Sequence, residues 1–350
     1  VILYHLFHHS IIDFADDKIF KSKTGFKDKE IWKMLYTFQK DGVMGAIEKI
    51  ERYGGCIIAD SVGLGKTFEA LAVIKYYELR NDRVLVICPK KLRDNWTVYK
   101  QNDKRNILLN DRFNYDVLSH TDLTRVRGMS GDIDLATINW SNYDLVVIDE
   151  SHNFRNNYPS KSEMTRYARM MNEVIKKGVK TKLLMLSATP VNNRMNDLKN
   201  QILFITEGED DVFDEEGIES ISQVMKLAQK QFTDWTKSSN HNINNLFDYL
   251  DNRYFKLLDM LTIARSRKHI VKYYDSADVG EFPTRLKPIN IKSDIDSEGL
   301  FPSLRDINNA IRRLNLANYS PISSLKENRK ADYEAKYDYQ LSTGSVFKQS

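Results

Sequence analysis

The stretch that decides the fold is Gly55-Cys56-Ile57-Ile58-Ala59-Asp60-Ser61-Val62-Gly63-Leu64-Gly65-Lys66-Thr67. It begins with a short apolar run typical of a buried strand, which a glycine-bearing turn then interrupts. The apolar residues that follow lie at the spacing of one helix face: Phe68, Leu71, Ile74 and Tyr77. A strand, a tight turn and a helix in this order predict an α/β domain.

Four further apolar runs repeat this alternation, and a helical pattern over residues 29–53 precedes the first strand. The runs are residues 84–88, 115–118, 145–148 and 183–186. Continuous apolar strands separated by helical stretches are typical of a parallel sheet with helices on both faces. The fold class predicted up to residue 207 is therefore a single doubly wound α/β domain.

The character of the sequence changes after residue 207. Two amphipathic helical stripes, at residues 218–235 and 247–264, have no strand signal between them and predict a helical insertion. One further strand is expected at residues 286–291. The sequence predicts four segments: an N-terminal extension at 1–30, an α/β lobe at 31–207, the helical insertion at 208–282, and a linker or the start of a second lobe at 283–350.

Composition excludes several classes of protein. The chain has 350 residues, of which 41% are hydrophobic and 29% charged, and this favours an ordinary globular core over disorder. No apolar run reaches the roughly 18 residues needed to span a membrane. Two cysteines cannot form a disulfide framework, so we expect buried free thiols and a cytoplasmic protein. The net charge of +4 permits a local basic face but does not establish nucleic-acid binding.

Residues 60–67, here called the phosphate loop, have the chemistry to bind a nucleoside triphosphate. Gly63 and Gly65 let successive backbone N–H groups point at a phosphate, and the next helix adds its positive N-terminal end. Lys66 can reach the β and γ phosphates, and the hydroxyl of Thr67 can ligate Mg²⁺. The predicted ligands are ATP and Mg²⁺, and the predicted contacts are Asp60, Ser61, Val62, Gly63, Leu64, Gly65, Lys66 and Thr67.

An acidic pair, Asp149 and Glu150, follows the apolar run at residues 145–148. The carboxyl ends of parallel strands are where open α/β sheets hold their ligands. Asp149 is predicted to hold Mg²⁺ through water, and Glu150 to orient and deprotonate the attacking water. A plain solvated strand end is the alternative for this pair taken alone.

Together with Leu186-Ser187-Ala188-Thr189-Pro190, these segments resemble the motifs of superfamily-two helicases. The form Asp60-x-x-Gly63-Leu64-Gly65-Lys66-Thr67 is similar to that of the Swi/Snf-related DNA translocases within the superfamily. The resemblance extends over about residues 35–290. It implies a RecA-like P-loop NTPase lobe in which Lys66, Asp149 and Glu150 are catalytic.

The resemblance also implies roles for residues outside the two main motifs. Gln39 would read the adenine edge, and His152 would couple the nucleotide state to a second lobe. Ser187, Ala188 and Thr189 would link hydrolysis to DNA contact. A surface glutamine, a structural histidine and a plain strand-end turn are the respective alternatives.

Two basic clusters are candidate contacts for DNA phosphates. The first follows the second strand and contains Lys90, Lys91, Arg93 and Asn95. The second contains Arg265, Arg267 and Lys268. The alternative for each cluster is an ordinary solvated face.

The function predicted from the sequence is an ATP-dependent, DNA-stimulated translocase that binds duplex DNA without sequence preference. The second lobe of such motors carries a Gln-x-x-Gly-Arg-x-x-Arg motif that residues 207–350 lack. We therefore expect this chain to be the nucleotide-binding half, poorly active alone. Two alternatives stay open: a regulatory nucleotide-binding module, and the motor subunit of a bacterial restriction or defence complex.

Overall fold

A computed structural model describes residues 25–155, 165–188, 196–237, 250–274, 282–283, 289, 302–313, 326 and 328–329. Two compact units divide the chain, residues 1–283 and 284–350. The second unit contains the helix Leu304–Arg313. Of the strand predicted at residues 286–291 only Ile289 is described, and the predicted extension at 1–30 is described only from residue 25.

The first unit is built on a sheet of six strands in the order β3-β2-β6-β7-β1-β8. Every pairing in this sheet is parallel. Its strands are β1 (Gly55–Ile58), β2 (Val84–Cys88), β3 (Asp116–Ser119), β6 (Leu145–Asp149), β7 (Lys182–Leu186) and β8 (Thr262–Ile263). The predicted α/β fold with a parallel sheet is confirmed.

Alternate residues of each strand enter two separate cores, one on each face of the sheet. In β6, for example, Leu145 and Val147 pack into one core, while Val146 and Ile148 pack into the other. Side chains of successive strand residues point to opposite faces, so both faces must be apolar when both are covered. This explains why the strands read as continuous apolar runs.

Helices before and after the sheet strands cover these faces. The principal helices are Glu30–Met34, Thr37–Tyr53, Lys66–Glu78, Arg93–Thr97, Arg166–Arg169 with its π-helical continuation Met170–Ile175, Asn196–Ile205, Ile221–Lys237, Asn252–Leu261 and Arg267–Tyr273. The helical pattern at residues 29–53 is interrupted, because Tyr36 is extended (φ −66°, ψ 158°). The side-chain Oε1 of Gln39 accepts the Tyr36 N–H and so caps the second helix.

The segment predicted as a purely helical insertion contributes the sixth strand to the sheet. Residues of β8 pair with β1, and the amide of Ala59 donates to the carbonyl of Ile263 at 2.6 Å. A strand of two residues is too short to leave a periodic pattern in the sequence, so the sequence did not predict it. The short hairpin of β4 (Met129–Ser130) and β5 (Ile133–Asp134) was missed for the same reason.

Within the described residues, no helix is both long and apolar enough to cross a membrane.

Candidate nucleotide-binding site

The phosphate loop connects β1 to the helix Lys66–Glu78 at the carboxyl edge of the sheet. Gly63 and Gly65 have φ angles of +82° and +83°, a conformation that glycine adopts without steric cost. A Cβ at Gly65 would also collide with the side-chain amide of Gln39. Both glycines are therefore required by the backbone path, which ends at a helix N-terminus suited to bind anions.

Lys66 lies along the inside of this loop. Its Nζ donates to the carbonyl of Asp60 at 2.8 Å and approaches that of Ser61 at 3.5 Å. Since the ammonium already faces the concave side of the loop, it is positioned to meet a phosphate there.

Gln39 is buried and touches the phosphate loop directly. Its Nε2 donates to the carbonyl of Leu64 at 3.0 Å, while its Oε1 accepts the N–H of Tyr36 at 3.0 Å. One donor hydrogen and one acceptor lone pair of the amide are thus used by the protein. The adenine contact proposed for Gln39 stays a prediction, and the structure adds a role in bracing the loop.

A cleft of about 420 Å³ opens between the loop and the start of the helix Thr37–Tyr53. Its lining is mainly apolar and aromatic, with residues that include Tyr36, Phe38, Gln39, Leu64, Phe68 and Phe282. The rings of Tyr36 and Phe38 are stacked, with centroids 6.1 Å apart. A flat apolar cleft that carries one carboxamide and adjoins a phosphate loop has the character of a base-binding site.

The acidic pair lies at the end of β6, within the electrostatic range of Lys66. The carboxylate of Asp149 accepts the indole N–H of Trp96 at 3.0 Å and the backbone N–H of Glu150 at 2.9 Å. Burial raises the pKa of Asp149, whereas the Trp96 hydrogen bond and the charge of Lys66 lower it. The predicted metal-binding carboxylate and the predicted phosphate-binding lysine therefore lie at the same edge of the sheet.

Glu150 has an unusual backbone conformation, with φ +51° and ψ +50°. A side chain other than that of glycine adopts this left-handed conformation at an energetic cost of about 1–3 kcal/mol. Such strain persists where the surrounding structure fixes it, and it frequently marks functional positions.

Oxygen donors suitable for Mg²⁺ are present in the Asp149 carboxylate and the Thr67 hydroxyl. Mg²⁺ in nucleotide sites takes only one or two protein ligands and completes its shell with water and phosphate. The described residues contain no cluster of three or more His, Cys, Asp or Glu side chains that could hold a metal. The two donors fit a magnesium ion shared with a nucleotide, and their assignment stays a prediction.

His152 connects the acidic pair to the end of β7. Its Nδ1 lies 3.2 Å from Oε2 of Glu150 and 3.2 Å from Oγ of Ser187. Ser187 in turn donates its N–H to the carbonyl of Ile58 at the end of β1. Of the three predicted coupling residues, Ser187 and Ala188 are described, and Thr189 lies outside the described residues.

Two residues at the acidic pair were not predicted from the sequence. Trp96, fully buried, binds Asp149 as described above, and His120 places Nε2 2.9 Å from the carbonyl of Asp149. Burial lowers the pKa of His120 to about 4, so its imidazole is neutral at pH 7. The sequence offered only one indication of their role. Each residue follows an apolar run, and the strands that these runs form end at the same edge of the sheet as β6.

The structure contradicts two of the assigned roles. Arg265 was predicted to contact DNA, but its side chain is 7% exposed and forms ion pairs with Asp60 and Glu69. Asp60 was predicted to contact the nucleotide, but its fully buried carboxylate faces Arg265. Both assignments are wrong for the side chains, because each charge is neutralised by the other inside the protein.

The remaining residues of the two basic clusters differ in their solvent exposure. Lys90, Lys91 and Asn95 are exposed. Arg93 is half-buried and donates to Oγ of Ser130 at 2.6 Å and to the carbonyl of Val117 at 3.1 Å. Contact between these residues and DNA stays a prediction, and Arg93 has a structural role in addition.

Arg267 and Lys268 are both exposed, and Arg267 lies beside the phosphate loop. Nη2 of Arg267 lies 3.4 Å from the carbonyl of Val62, and its guanidinium lies 5.7 Å from the ring centroid of Phe282. Arg267 therefore lies at the rim of the nucleotide cleft as well as in the second basic cluster.

The chain is similar in sequence to several known proteins. Residues 33–192 match the family described as "Type III restriction enzyme, res subunit". The "Uncharacterized ATP-dependent helicase YqhH" of Bacillus subtilis (strain 168) is 30% identical over 169 residues, which are 46% of this chain and 28% of that protein. The "SWI/SNF-related matrix-associated actin-dependent regulator of chromatin subfamily A-like protein 1" of Drosophila melanogaster is 29% identical over 178 residues, 49% of this chain and 22% of that protein.

A solved structure, "Sulfolobus solfataricus SWI2/SNF2 ATPase core in complex with dsDNA", is 20% identical with a TM-score of 0.43, covering 71% of this chain and 47% of that one. The chain spans 28% and 22% of the length of the two curated relatives named above. The family match and the curated relatives confirm the resemblance predicted from the sequence, which is a similarity to the Swi/Snf-related superfamily-two helicases.

Proposed function

We propose that this chain is the nucleotide-binding half of an ATP-dependent, DNA-stimulated translocase. The observation that carries the proposal is the placement of Lys66, after β1, and of Asp149, at the end of β6, at the same carboxyl edge of one parallel sheet. A base-sized cleft adjoins the same loop. Triphosphate, metal and base can therefore be bound by one continuous surface.

Each residue has a distinct part in the proposed reaction. The amides at the N-terminus of the helix Lys66–Glu78 and the ammonium of Lys66 hold the phosphates. Glu150 orients the attacking water and accepts its proton, and His152 holds the Glu150 carboxylate in place. Mg²⁺, when bound by Thr67 and Asp149, offsets the negative charge of the phosphates. Trp96 fixes the orientation of Asp149.

Calorimetry with Mg²⁺-ATP tests the nucleotide site. Lys66→Ala removes one charge-assisted phosphate contact, and we expect about a hundredfold weaker binding. Lys177→Ala is the matched control, because Lys177 is exposed, pairs with Glu173 and is remote in sequence from the loop. Equal affinity of the wild type and Lys66→Ala would refute the site.

Phosphate release in the presence and absence of duplex DNA tests the motor function. Stimulation by DNA that disappears in Glu150→Gln supports the translocase. ATP binding without any response to DNA favours a regulatory module instead.

A second candidate function is the motor subunit of a restriction system. The description of the family that matches residues 33–192 favours it. In that case the flanking genomic sequence encodes a nuclease or a DNA-modification partner, and sequencing of this region decides the question.

A further inference from the structure

A cluster of three ionisable side chains lies buried beneath the phosphate loop. It consists of Arg265, Asp60 and Glu69, whose side chains are 7%, 0% and 0% exposed. Nε of Arg265 lies 3.1 and 3.0 Å from the two carboxylate oxygens of Asp60, and Nη2 donates to both Asp60 and Glu69. One guanidinium thus joins the first residue of the loop to the helix that follows the loop.

The backbone of Arg265 strengthens the connection to the loop. Its N–H donates to Oδ1 of Asp60 at 2.8 Å, and its carbonyl accepts the N–H of Ser61 at 3.0 Å. Asp60 and Ser61 are therefore held by main-chain and side-chain bonds from a residue 205 positions away.

The same guanidinium also reaches the wall of the base-sized cleft. Nη1 donates to the carbonyl of Phe38, and the guanidinium carbon lies 5.3 Å from the centre of the Phe38 ring. Phe38 lines the cleft, and the adjacent Gln39 contacts both the cleft and Leu64 of the loop. Arg265 is thereby bonded to both halves of the nucleotide site.

A gain in folding stability does not by itself explain such a buried cluster. Two carboxylates face one guanidinium, Oε2 of Glu69 has no hydrogen-bond partner in the described part of the chain, and burial raises the pKa of Glu69. Buried ion pairs are often no more stabilising than apolar residues of the same size. What the cluster does provide is a fixed geometry, because the planar fork of arginine directs its donors rigidly.

We propose that Arg265 is a positioning residue that sets the spacing between the phosphate loop and the Phe38–Gln39 wall of the cleft. The inference rests on the proposed nucleotide site and specifies how its two halves are kept in register. ATP must contact both halves at once, whereas inorganic tripolyphosphate contacts the loop alone. Loss of this spacing therefore weakens the binding of ATP more than the binding of tripolyphosphate.

Gly42 offers a variant that disturbs Arg265 without altering any charge. A Cβ at Gly42 would lie 2.5 Å from Nη2 and 2.6 Å from Nη1 of Arg265, so Gly42→Ala must displace the guanidinium. Alanine is otherwise the better helix former at this position. Gly45→Ala is the matched control in the same helix, because a Cβ at Gly45 meets only Cδ1 of Ile263, at 3.4 Å.

Arg265→Lys provides the second variant. A lysine keeps the positive charge between Asp60 and Glu69 but cannot reproduce the bidentate contact. For both Gly42→Ala and Arg265→Lys we expect about tenfold weaker Mg²⁺-ATP binding by calorimetry, the size of one charge-assisted hydrogen bond. Tripolyphosphate affinity should change less than about threefold, and Gly45→Ala should match the wild type for both probes.

Three results would overturn the proposal: ATP affinity unchanged in Gly42→Ala, equal losses for ATP and tripolyphosphate, or equal effects of Gly42→Ala and Gly45→Ala. Since Arg265→Lys alters a buried cluster, its far-ultraviolet circular dichroism and melting temperature are measured first. If it does not fold, Gly42→Ala alone decides. Failure of the nucleotide site itself would appear separately, as Lys66→Ala binding both probes like the wild type.

Discussion

Nδ1 of His152 lies 3.2 Å from Oγ of Ser187, and the same nitrogen lies 3.2 Å from Oε2 of Glu150. A protonated Nδ1 donates more strongly to the charged carboxylate than to the neutral hydroxyl, whereas an unprotonated Nδ1 can only accept a hydrogen bond from the hydroxyl. The hydrogen bond of His152 is thus a choice between the acidic pair and the end of β7. A change at the γ phosphate that moves the Glu150 carboxylate would therefore change which hydrogen bond His152 forms. The hydrogen bonding of Ser187 would change with it.

Ser187→Ala removes the hydroxyl that can form a hydrogen bond with Nδ1 of His152. We expect the wild-type affinity for duplex DNA to differ by about tenfold between the nucleotide-free and Mg²⁺-ATP-analogue-bound states, a typical coupling between two sites. The variant should bring this ratio near one while keeping its nucleotide affinity. Fluorescence anisotropy measures both ratios. Ser141→Ala, whose hydroxyl bonds Asn139 before the opposite end of β6, serves as the control. A wild-type ratio in Ser187→Ala would contradict the coupling role.

Glu150→Gly should unfold at a higher urea concentration than Glu150→Ala. Both variants lose the contact with His152, but only alanine retains the strain of φ +51°, which costs about 1–3 kcal/mol. The same pair of substitutions at Glu173, which lies in the helical segment Met170–Ile175, should show the opposite order, because glycine weakens a helix by about 1 kcal/mol. Equal midpoints for the two Glu150 variants would show that the position is not strained.

Much of the nucleotide site was predictable because its parts are local in the sequence. The phosphate loop and the acidic pair each consist of a few consecutive residues after an apolar run, and parallel strands bring their carboxyl ends to one edge. Lys66 and Asp149 therefore lie at the same edge of the sheet, as expected.

The role of Arg265 was not predictable, because its partner Asp60 lies 205 positions earlier. In the sequence Arg265 stands beside Arg267 and Lys268, and three nearby cations resemble a solvent-exposed basic cluster. Only the addition of β8 to the sheet edge buries the first of them beneath the loop while the other two remain exposed. Burial of a charge depends on long-range pairing, which composition does not encode.

The two cysteines should report unfolding rather than surface chemistry. Cys56 and Cys88 are fully buried, and burial raises the pKa of each thiol to about 12. Iodoacetamide should therefore modify the native chain very slowly at pH 8 and rapidly in urea, as measured by mass spectrometry, because the thiolate is the nucleophile. Prompt modification of either residue in the native state would contradict its burial.

The same thiols give stability a pH dependence. Unfolded cysteine ionises near pH 8.5, whereas the folded thiols hold their protons to about pH 12. Between these values the unfolded state binds fewer protons, so the free energy of unfolding contributed by the thiols falls as pH rises above about 8.5. A Cys56→Ser/Cys88→Ser variant, compared by urea titration at pH 7.5 and 9.5, should lose less stability over this interval than the wild type.

Binding to duplex DNA should depend on salt and not on sequence. Lys90 and Lys91 are exposed directly after β2, and flexible lysines at a sheet edge contact phosphates rather than base edges. Each lost phosphate contact should lower the slope of log affinity against log salt by about one, so Lys90→Ala/Lys91→Ala should lower it by about two. Lys176→Ala/Lys177→Ala, which also removes two exposed positive charges, is the charge-matched control. Anisotropy titrations of two unrelated duplexes at several salt concentrations measure the slope, and a strong preference for one duplex that persists at high salt would rule out the translocase surface.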